Sequence, residues 1–432
     1  MANNYTMAEA IIAGHARDKV VKGGICRARV DFAFANDITT PPAIREFRRM
    51  GATRVFDPRR CAVVADHFTP NKDIASANQV KLGRAFAKEQ GMLYWEQGRC
   101  GVEHAFLPEQ GLELPGDIVV GADSHTCTGG ALSALATGVG STDIAYSWAL
   151  GEAWLRVPET IRVEYEGTFA PWVTGKDVIL NLIGRLGVDG ARYMAIEFAG
   201  PALAGLPMDD RFSMSNMAIE AGGKAGIFVP DDTILAYAKA RGQRPFTAVY
   251  PDANAVYHER IVIDASTLEP VVALPHLPEN TRPAAECADM RIDQVFIGSC
   301  TNGRLRDMAL AAAVLKGRET HPDVRLIVIP ASYEVYNESM KRGYIQTFLD
   351  AGAVVTTPSC GPCLGGHLGI LADGERCLST SNRNFVGRMG STSSEVLLAG
   401  PLVAAAGAVL GRVGDPREVI GDDISCIKDT QS

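Results

Sequence analysis

The sequence predicts an α/β protein of several domains, and three observations carry that prediction. Short apolar runs of strand length alternate with amphipathic helical patterns through the first third. The last third reads as a βαβαβ succession, and no repeat, heptad run or low-complexity tract interrupts the chain. At 432 residues, and roughly 100–200 residues per domain, about two to four domains are expected. Apolar residues make up 47% and charged residues 21%, the balance of a chain that buries a large core. Lysine and arginine number 42 against 50 aspartates and glutamates, a net charge of −8 with no basic stripe, which argues against nucleic acid as the main partner.

The N-terminus has no basic region followed by an apolar run of signal-peptide length. Thr6 and Glu9 instead have the spacing of a capping box before Ile11 and Ile12, the start of an amphipathic helix. Helical patterns follow at 43–50 and 78–90, with strands at 62–65 and 117–121. A Gly- and Pro-punctuated stretch at 165–175 precedes a helix at 176–186 and marks a first boundary. His276, Pro278, Glu279, Asn280 and Pro283 make 275–287 read as a linker, the second boundary. Beyond it come a strand at 293–298, a helix at 305–316, a strand at 324–329, a helix at 334–349 and a strand at 353–356. The expected domains are therefore 1–160, 161–285 and 286–432. The most apolar run, 401–410, is far short of the ~20 residues of a membrane helix, so a soluble cytoplasmic protein with no membrane contact is expected.

Ten cysteines without a secretion signal predict reduced thiols or metal ligands. Cys26, Cys61, Cys100, Cys127, Cys287, Cys377 and Cys426 stand singly and read as small buried hydrophobes. Cys300 and the Cys360-Gly-Pro-Cys363 pair differ, because each follows a predicted strand, where functional groups of open α/β sheets collect. Three chemistries stay open on spacing: a thioredoxin-type redox pair, a zinc site completed by Cys127, Cys377 or His367, and an iron–sulfur cluster with one iron free of protein ligands.

Of eight histidines, His15, His258, His276 and His321 carry no pattern. His67, His104 and His125 do better: Asp66-His67 and Asp123-Ser124-His125 each follow a short apolar strand, and a neighbouring carboxylate orients an imidazole and raises its pKa. Arg383 and Arg388 lie in a segment with neither helical nor strand periodicity. Two guanidinium groups there suit a substrate carrying carboxylates.

Five ordered motifs spread over nearly the whole chain resemble signatures of the aconitase superfamily. They are Asp66-His67, Asp123-Ser-His125, Gly298-Ser-Cys-Thr-Asn-Gly303, Ser359-Cys-Gly-Pro-Cys-Leu-Gly365 and Ser379-Thr-Ser-Asn-Arg-Asn-Phe-Val-Gly-Arg388. Within it the resemblance is to the large subunits of isopropylmalate dehydratases. It implies three α/β domains around a central cluster cleft, without the swivelling fourth domain, and one [4Fe-4S] cluster per subunit on Cys300, Cys360 and Cys363. It also implies the pairs Asp66 with His67, Asp123 with His104 and Glu220 with His125. The first would protonate the leaving hydroxyl, and His104 and His125 would lie around the iron-bound water. Arg383, Arg388, Ser124 and Asn36 would bind substrate, and Asn216, Asn302 and Asn382 would surround the cluster. Asn216 and Glu220 keep the family's four-residue spacing, whereas Asn36 replaces the glutamine or histidine found elsewhere in the family.

The implied reaction interconverts 2-isopropylmalate and 3-isopropylmalate by dehydration and rehydration, a step of leucine biosynthesis catalysed by a hydro-lyase. Its carbon base would come from a separate small subunit carrying the swivelling domain, and its substrate would be a di- or tricarboxylic 2-hydroxy acid. Related hydratases acting on homoaconitate, citraconate (2-methylmalate), maleate or 2,3-dimethylmalate share these motifs. Outside that class stand an RNA-binding iron sensor and a zinc or thiol redox protein.

Overall fold

The computed structural model describes residues 4–421; Cys426 lies outside them. A five-stranded all-parallel sheet runs in the order Leu93–Trp95, Cys61–Val64, Phe32–Asn36, Ile118–Gly121, Leu135–Gly138. A four-stranded all-parallel sheet follows in the order Ala225–Phe228, Ala195–Ala199, Thr160–Glu166, Glu259–Asp264. Strands such as Cys61–Val64 and Ile118–Gly121 are buried along their whole length because helices cover both faces of a parallel sheet.

The third sheet has seven strands, in the order Thr281–Pro283, Val271–Ala273, Glu395–Ala399, Arg376–Ser379, Gln294–Ile297, Arg325–Val328, Val354–Val355. Its first two strands are antiparallel additions to a parallel core. Part of the stretch read as a linker therefore extends this sheet: Val272 pairs with Arg282, and Ala284–Cys287 forms a 3-10 turn. The single helix expected at 334–349 is two, Tyr333–Lys341 and Tyr344–Asp350, divided at Gly343, whose φ of 78° an L side chain rarely adopts. The helix expected from 78 begins at Ile74, because the Asp73 carboxylate caps it by accepting from the Ser76 N–H at 2.7 Å. The Thr6 and Glu9 capping box forms as its spacing implied. Pro401–Leu410 is a helix buried through Ala408, and among the described residues no helix is long and apolar enough to cross a membrane.

In the first sheet and in the parallel core of the third the chain starts in the middle and adds strands to both sides. Phe32–Asn36 lies between Cys61–Val64 and Ile118–Gly121, and Gln294–Ile297 lies between Arg325–Val328 and Arg376–Ser379. Loops leaving neighbouring central strands in opposite directions open a crevice at their carboxyl ends. The second sheet closes on the first through the turn Ser124–Leu132, where a Cβ on Gly130 would stand 1.9 Å from the Gly226 carbonyl oxygen.

Trp148 anchors the first layer. It is fully buried, donates from Nε1 to the Ala33 carbonyl at 3.2 Å and packs against Phe86 at 5.8 Å between ring centroids. Trp148→Ala should cost about 3–5 kcal/mol, read as a lower denaturant midpoint for the iron-free chain; an unchanged midpoint would show the layer is held elsewhere.

Candidate active site

Loops from the carboxyl ends of the first and third sheets meet around a cavity of about 300 Å³. Asn36, His67, Asp123, Ser124 and His125 reach it from the first sheet's loops, and His104 from the helix Glu103–Glu109. From the third sheet come Cys300, Cys360, Cys363, Asn382, Arg383 and Arg388. Asp66, Asn216, Glu220 and Asn302 stand behind this lining, all buried.

Each imidazole is held by a carboxylate, buried for Asp66 and Glu220 and part-buried for Asp123. Asp66 Oδ1 is 2.7 Å from His67 Nδ1, Asp123 Oδ1 is 2.8 Å from His104 Nε2, and Glu220 Oε1 is 2.8 Å from His125 Nε2. Burial alone would lower the His67 pKa, but the carboxylates of Asp66 and Asp123 outweigh it and hold the ring well above its ordinary value. His125 is raised less: burial and the Arg383 charge lower it, and Asp123 and Glu220 more than offset them. Burial would raise Asp123, yet hydrogen bonds from His104, His125 and His67 hold it well below the carboxylate range.

The three cysteines are buried, and Cys300 is set up as an acceptor. Asn216 Nδ2 and Asn382 Nδ2 both lie near Cys300 Sγ, at 3.2 and 3.4 Å, as amide donors approach a thiolate. The Cys360 thiol donates toward Cys363, and with Arg388 nearby this lowers Cys363 to about 5 while Cys360 is pushed up. Asn302 reaches no sulfur; its Nδ2 donates to Ser213 Oγ and Asp307 Oδ1, each at 3.0 Å.

These sulfurs suit a group larger than one ion. Among the described residues, the sets close enough to share a single cation are Asp37 with Asp66 and His67, and His67 with Glu103 and Asp123; the cysteines form no such set. The zinc reading also lacks its fourth ligand. Cys127 Sγ donates to the Asn216 carbonyl at 3.2 Å, Cys377 is buried within the strand Arg376–Ser379, and His367 Nε2 is bound to the Pro70 carbonyl at 2.8 Å. An iron–sulfur cluster, broad and anionic through its thiolates, fits both the spread of the thiols and the two amide donors turned to Cys300.

The other residues divide. Arg383 Nε donates to Glu220 Oε1 at 2.8 Å, so part of its fork is spent on the His125 pair, whereas Arg388 Nε is buried with no hydrogen-bond partner. The Asn36 amide is engaged at both ends: Oδ1 accepts from the N–H groups of Ile38 and Thr39, and Nδ2 donates to Glu103 Oε1 at 3.1 Å. His15 pairs with Asp31 at 2.7 Å, away from this cavity.

Sequence reasoning missed four buried groups. Asp37 accepts from the N–H groups of Asp66, His67 and Phe68 and so shapes the first loop. Glu103, whose N–H donates to Asp66 Oδ2 at 2.7 Å, sits between the Asp66 and Asp123 pairs. Lys176 donates to the carbonyls of Thr380 and Ser381, and Arg304 to that of His104. Asp37 was within reach, one residue beyond Asn36; the others touch the site only through folding.

The Aconitase family (aconitate hydratase) model matches residues 9–289 and 279–411. The chain is 59% identical over 417 residues to the 3-isopropylmalate dehydratase large subunit of Moorella thermoacetica, covering 96% of this chain and 99% of that protein. It is 58% identical to the protein of that name from Desulfitobacterium hafniense and 57% identical to large subunit 1 from Pyrococcus furiosus, with the same coverage of each. Aconitase X from Thermococcus kodakaraensis (holo-form) aligns at 13% identity with a TM-score of 0.49, over 82% of this chain and 84% of that one. The family model spans the sheets that build the cavity, and the chain belongs to the aconitase family, a membership that implies an iron–sulfur cluster.

Proposed function

We propose that this chain is the large subunit of a hydro-lyase interconverting 2-isopropylmalate and 3-isopropylmalate, a step of leucine biosynthesis. The observation that carries the reading is the convergence of three imidazole–carboxylate pairs, two arginines and three cysteines on one cavity. The names of relatives at 57–59% identity support the substrate. Cys300, Cys360 and Cys363 would hold one [4Fe-4S] cluster, which when bound supplies a Lewis acid to the leaving hydroxyl through the iron that lacks a protein ligand.

The chain's own residues supply the rest. Asp66 fixes the His67 ring through Nδ1, and the Nε2 proton, 3.6 Å from Asp123 Oδ2, is the one available to the departing hydroxyl. His104 and His125, each tied through Nε2 to a carboxylate, order the water and hydroxyl around that position. Arg388, with its free Nε, and the unspent donors of Arg383 clamp the substrate carboxylates, with Ser124 beside them. This fixes the substrate and stabilises charge that develops when the α-proton leaves. Asn216 and Asn382 orient Cys300. Asn36 acts indirectly, holding Glu103 and its own turn. The carbon base is assigned to a partner small subunit carrying a swivelling domain, which the words "large subunit" in the relatives' names support.

Turnover is the direct test. Purified with a small subunit of this family, the chain should dehydrate 3-isopropylmalate, followed by the ultraviolet absorbance of the enoic acid. The chain free of any second polypeptide should be inactive; robust turnover alone would place the base in this chain.

Cys363→Ser should lose cluster iron and acid-labile sulfide together. Retention of both, or stoichiometric zinc in the wild type, would refute the cysteine assignment.

The raised pKa of His67 fixes a pH dependence. The ring keeps its proton through neutrality and loses it as pH rises through the raised value, so turnover that needs this proton falls on the alkaline side. In Asp66→Asn one supporting carboxylate is gone and burial lowers the ring's pKa. The alkaline limb of kcat/KM should move to lower pH, and an unmoved limb would assign it to another group.

A further inference from the structure

Lys176 is the one fully buried lysine among the described residues, at 0% exposure in the first turn of the helix Gly175–Leu186. Its ammonium donates to the carbonyl oxygens of Thr380 at 2.9 Å and Ser381 at 2.5 Å, and no carboxylate forms an ion pair with it among the described residues. A buried ammonium satisfied only by neutral carbonyls is a costly arrangement, because the fields of two carbonyl dipoles do not replace hydration or a counter-charge.

The charges that reach it through space are those of Asp307, Cys363, Asp177 and Cys300. The two carboxylates are committed elsewhere. Asp177 accepts from Thr174 N–H and Oγ1 and from Val271 N–H, and Asp307 accepts from Asn302 Nδ2 and Arg304 N–H. Burial raises Asp177 to about 6 and Asp307 to about 7, so the two share the balancing of the ammonium near neutrality, Asp307 only while ionised. The remaining partners are two of the three cysteines assigned to the cluster. The contact also has a direction: Ser381 precedes Asn382, whose Nδ2 lies 3.4 Å from Cys300 Sγ and whose Oδ1 lies 3.7 Å from Cys363 Sγ.

We infer that Lys176 is a buried counter-charge of the thiolate-bound iron–sulfur group, held on the carbonyls of the segment whose next residue, Asn382, meets Cys300 and Cys363. The inference rests on the iron–sulfur reading and adds to it a residue that touches neither substrate nor cavity. Without the cluster, burial lowers the lysine to about 7. With the cluster, three ligand thiolates provide the anionic charge that keeps the ammonium protonated, and the ammonium in return stabilises the more reduced cluster.

The test compares Lys176→Gln, which keeps an amide donor without the charge, and Lys176→Arg, which keeps the charge, with the wild type. Each full-length chain is reconstituted anaerobically with ferrous iron and sulfide. The iron-free glutamine protein should match the wild type in circular dichroism and thermal melting. Its reconstituted form should show a more negative cluster midpoint potential, followed by electron paramagnetic resonance, and should lose iron in air about tenfold faster, the scale of one elementary charge several ångströms away at an effective dielectric near ~20. The arginine protein should return both values toward wild type. An unchanged potential and unchanged iron loss in the glutamine protein would overturn the inference. Collapse of the iron-free glutamine protein would also overturn it, making the lysine only a clasp for the carbonyls of Thr380 and Ser381. A wild type that takes up neither iron nor sulfide would instead overturn the iron–sulfur reading, and the inference with it.

Discussion

A charge taken out of water costs of order several kcal/mol unless it is paired and hydrogen-bonded, and the centre of this molecule is built almost wholly of such charges. Asp66, His67, His104, Asp123, His125 and Glu220 are each at most 8% exposed by residue or, for Asp123, 19% by side chain. Each is therefore placed against a partner of opposite sign, and the partners come from different parts of the chain. Glu220 lies 95 residues from His125, and Arg383 lies 163 from Glu220. Removing one member leaves an uncompensated buried charge, so the pairs that orient the chemistry also hold the loops of the three sheets in register.

The parallel sheets make that convergence possible. In the first sheet, Phe32–Asn36, Cys61–Val64 and Ile118–Gly121 are adjacent and point the same way, so Asn36, Asp66 and Asp123 emerge at one edge. The third sheet does the same for Cys300 beyond Gln294–Ile297 and Asn382 beyond Arg376–Ser379. The Asp37 carboxylate then ties two of the first sheet's loops by accepting three backbone N–H groups from 66–68. Backbone hydrogen bonds specify that loop more tightly than packing would, because the geometry of each N–H is fixed by its neighbours.

What was legible in the sequence follows from how local each signal is. The capping box at Thr6 and the apolar strands of the parallel sheets are read from a few neighbouring residues, and both formed. The break at Gly343 and the cap at Asp73 were equally local, but each depends on one residue's backbone or side chain overriding a periodic pattern. The strand Thr281–Pro283 was hidden for a different reason: its partner strand Val271–Ala273 joins Glu395–Ala399, more than a hundred residues away, so nothing nearby distinguishes it from a linker. At the site, the adjacent Asp66 and His67 are visible in sequence. Their tie to Glu103, and the tie of Lys176 to Thr380 and Ser381, exist only once distant segments pack.

Glu103 shows how the constraint on buried charge resolves where partners run out. Asp66, Glu103 and Asp123 crowd one buried region, and His67 lies close enough to Glu103 and Asp123 to share a single ion with them. Burial, followed by the charges of Asp66 and Asp123, raises Glu103 well above the ordinary carboxyl range, whereas the imidazole contacts hold Asp123 well below it. The Asn36 amide donates to Glu103 Oε1 at 3.1 Å, an uncharged contact that offsets part of this rise. A protonated histidine at that position adds a positive charge to the group; the amide adds none. The departure of Asn36 from the pattern of its wider family is thus coherent with its neighbour: where a glutamic acid sits beside the histidine pair, an uncharged side chain at position 36 keeps the count of buried charges balanced.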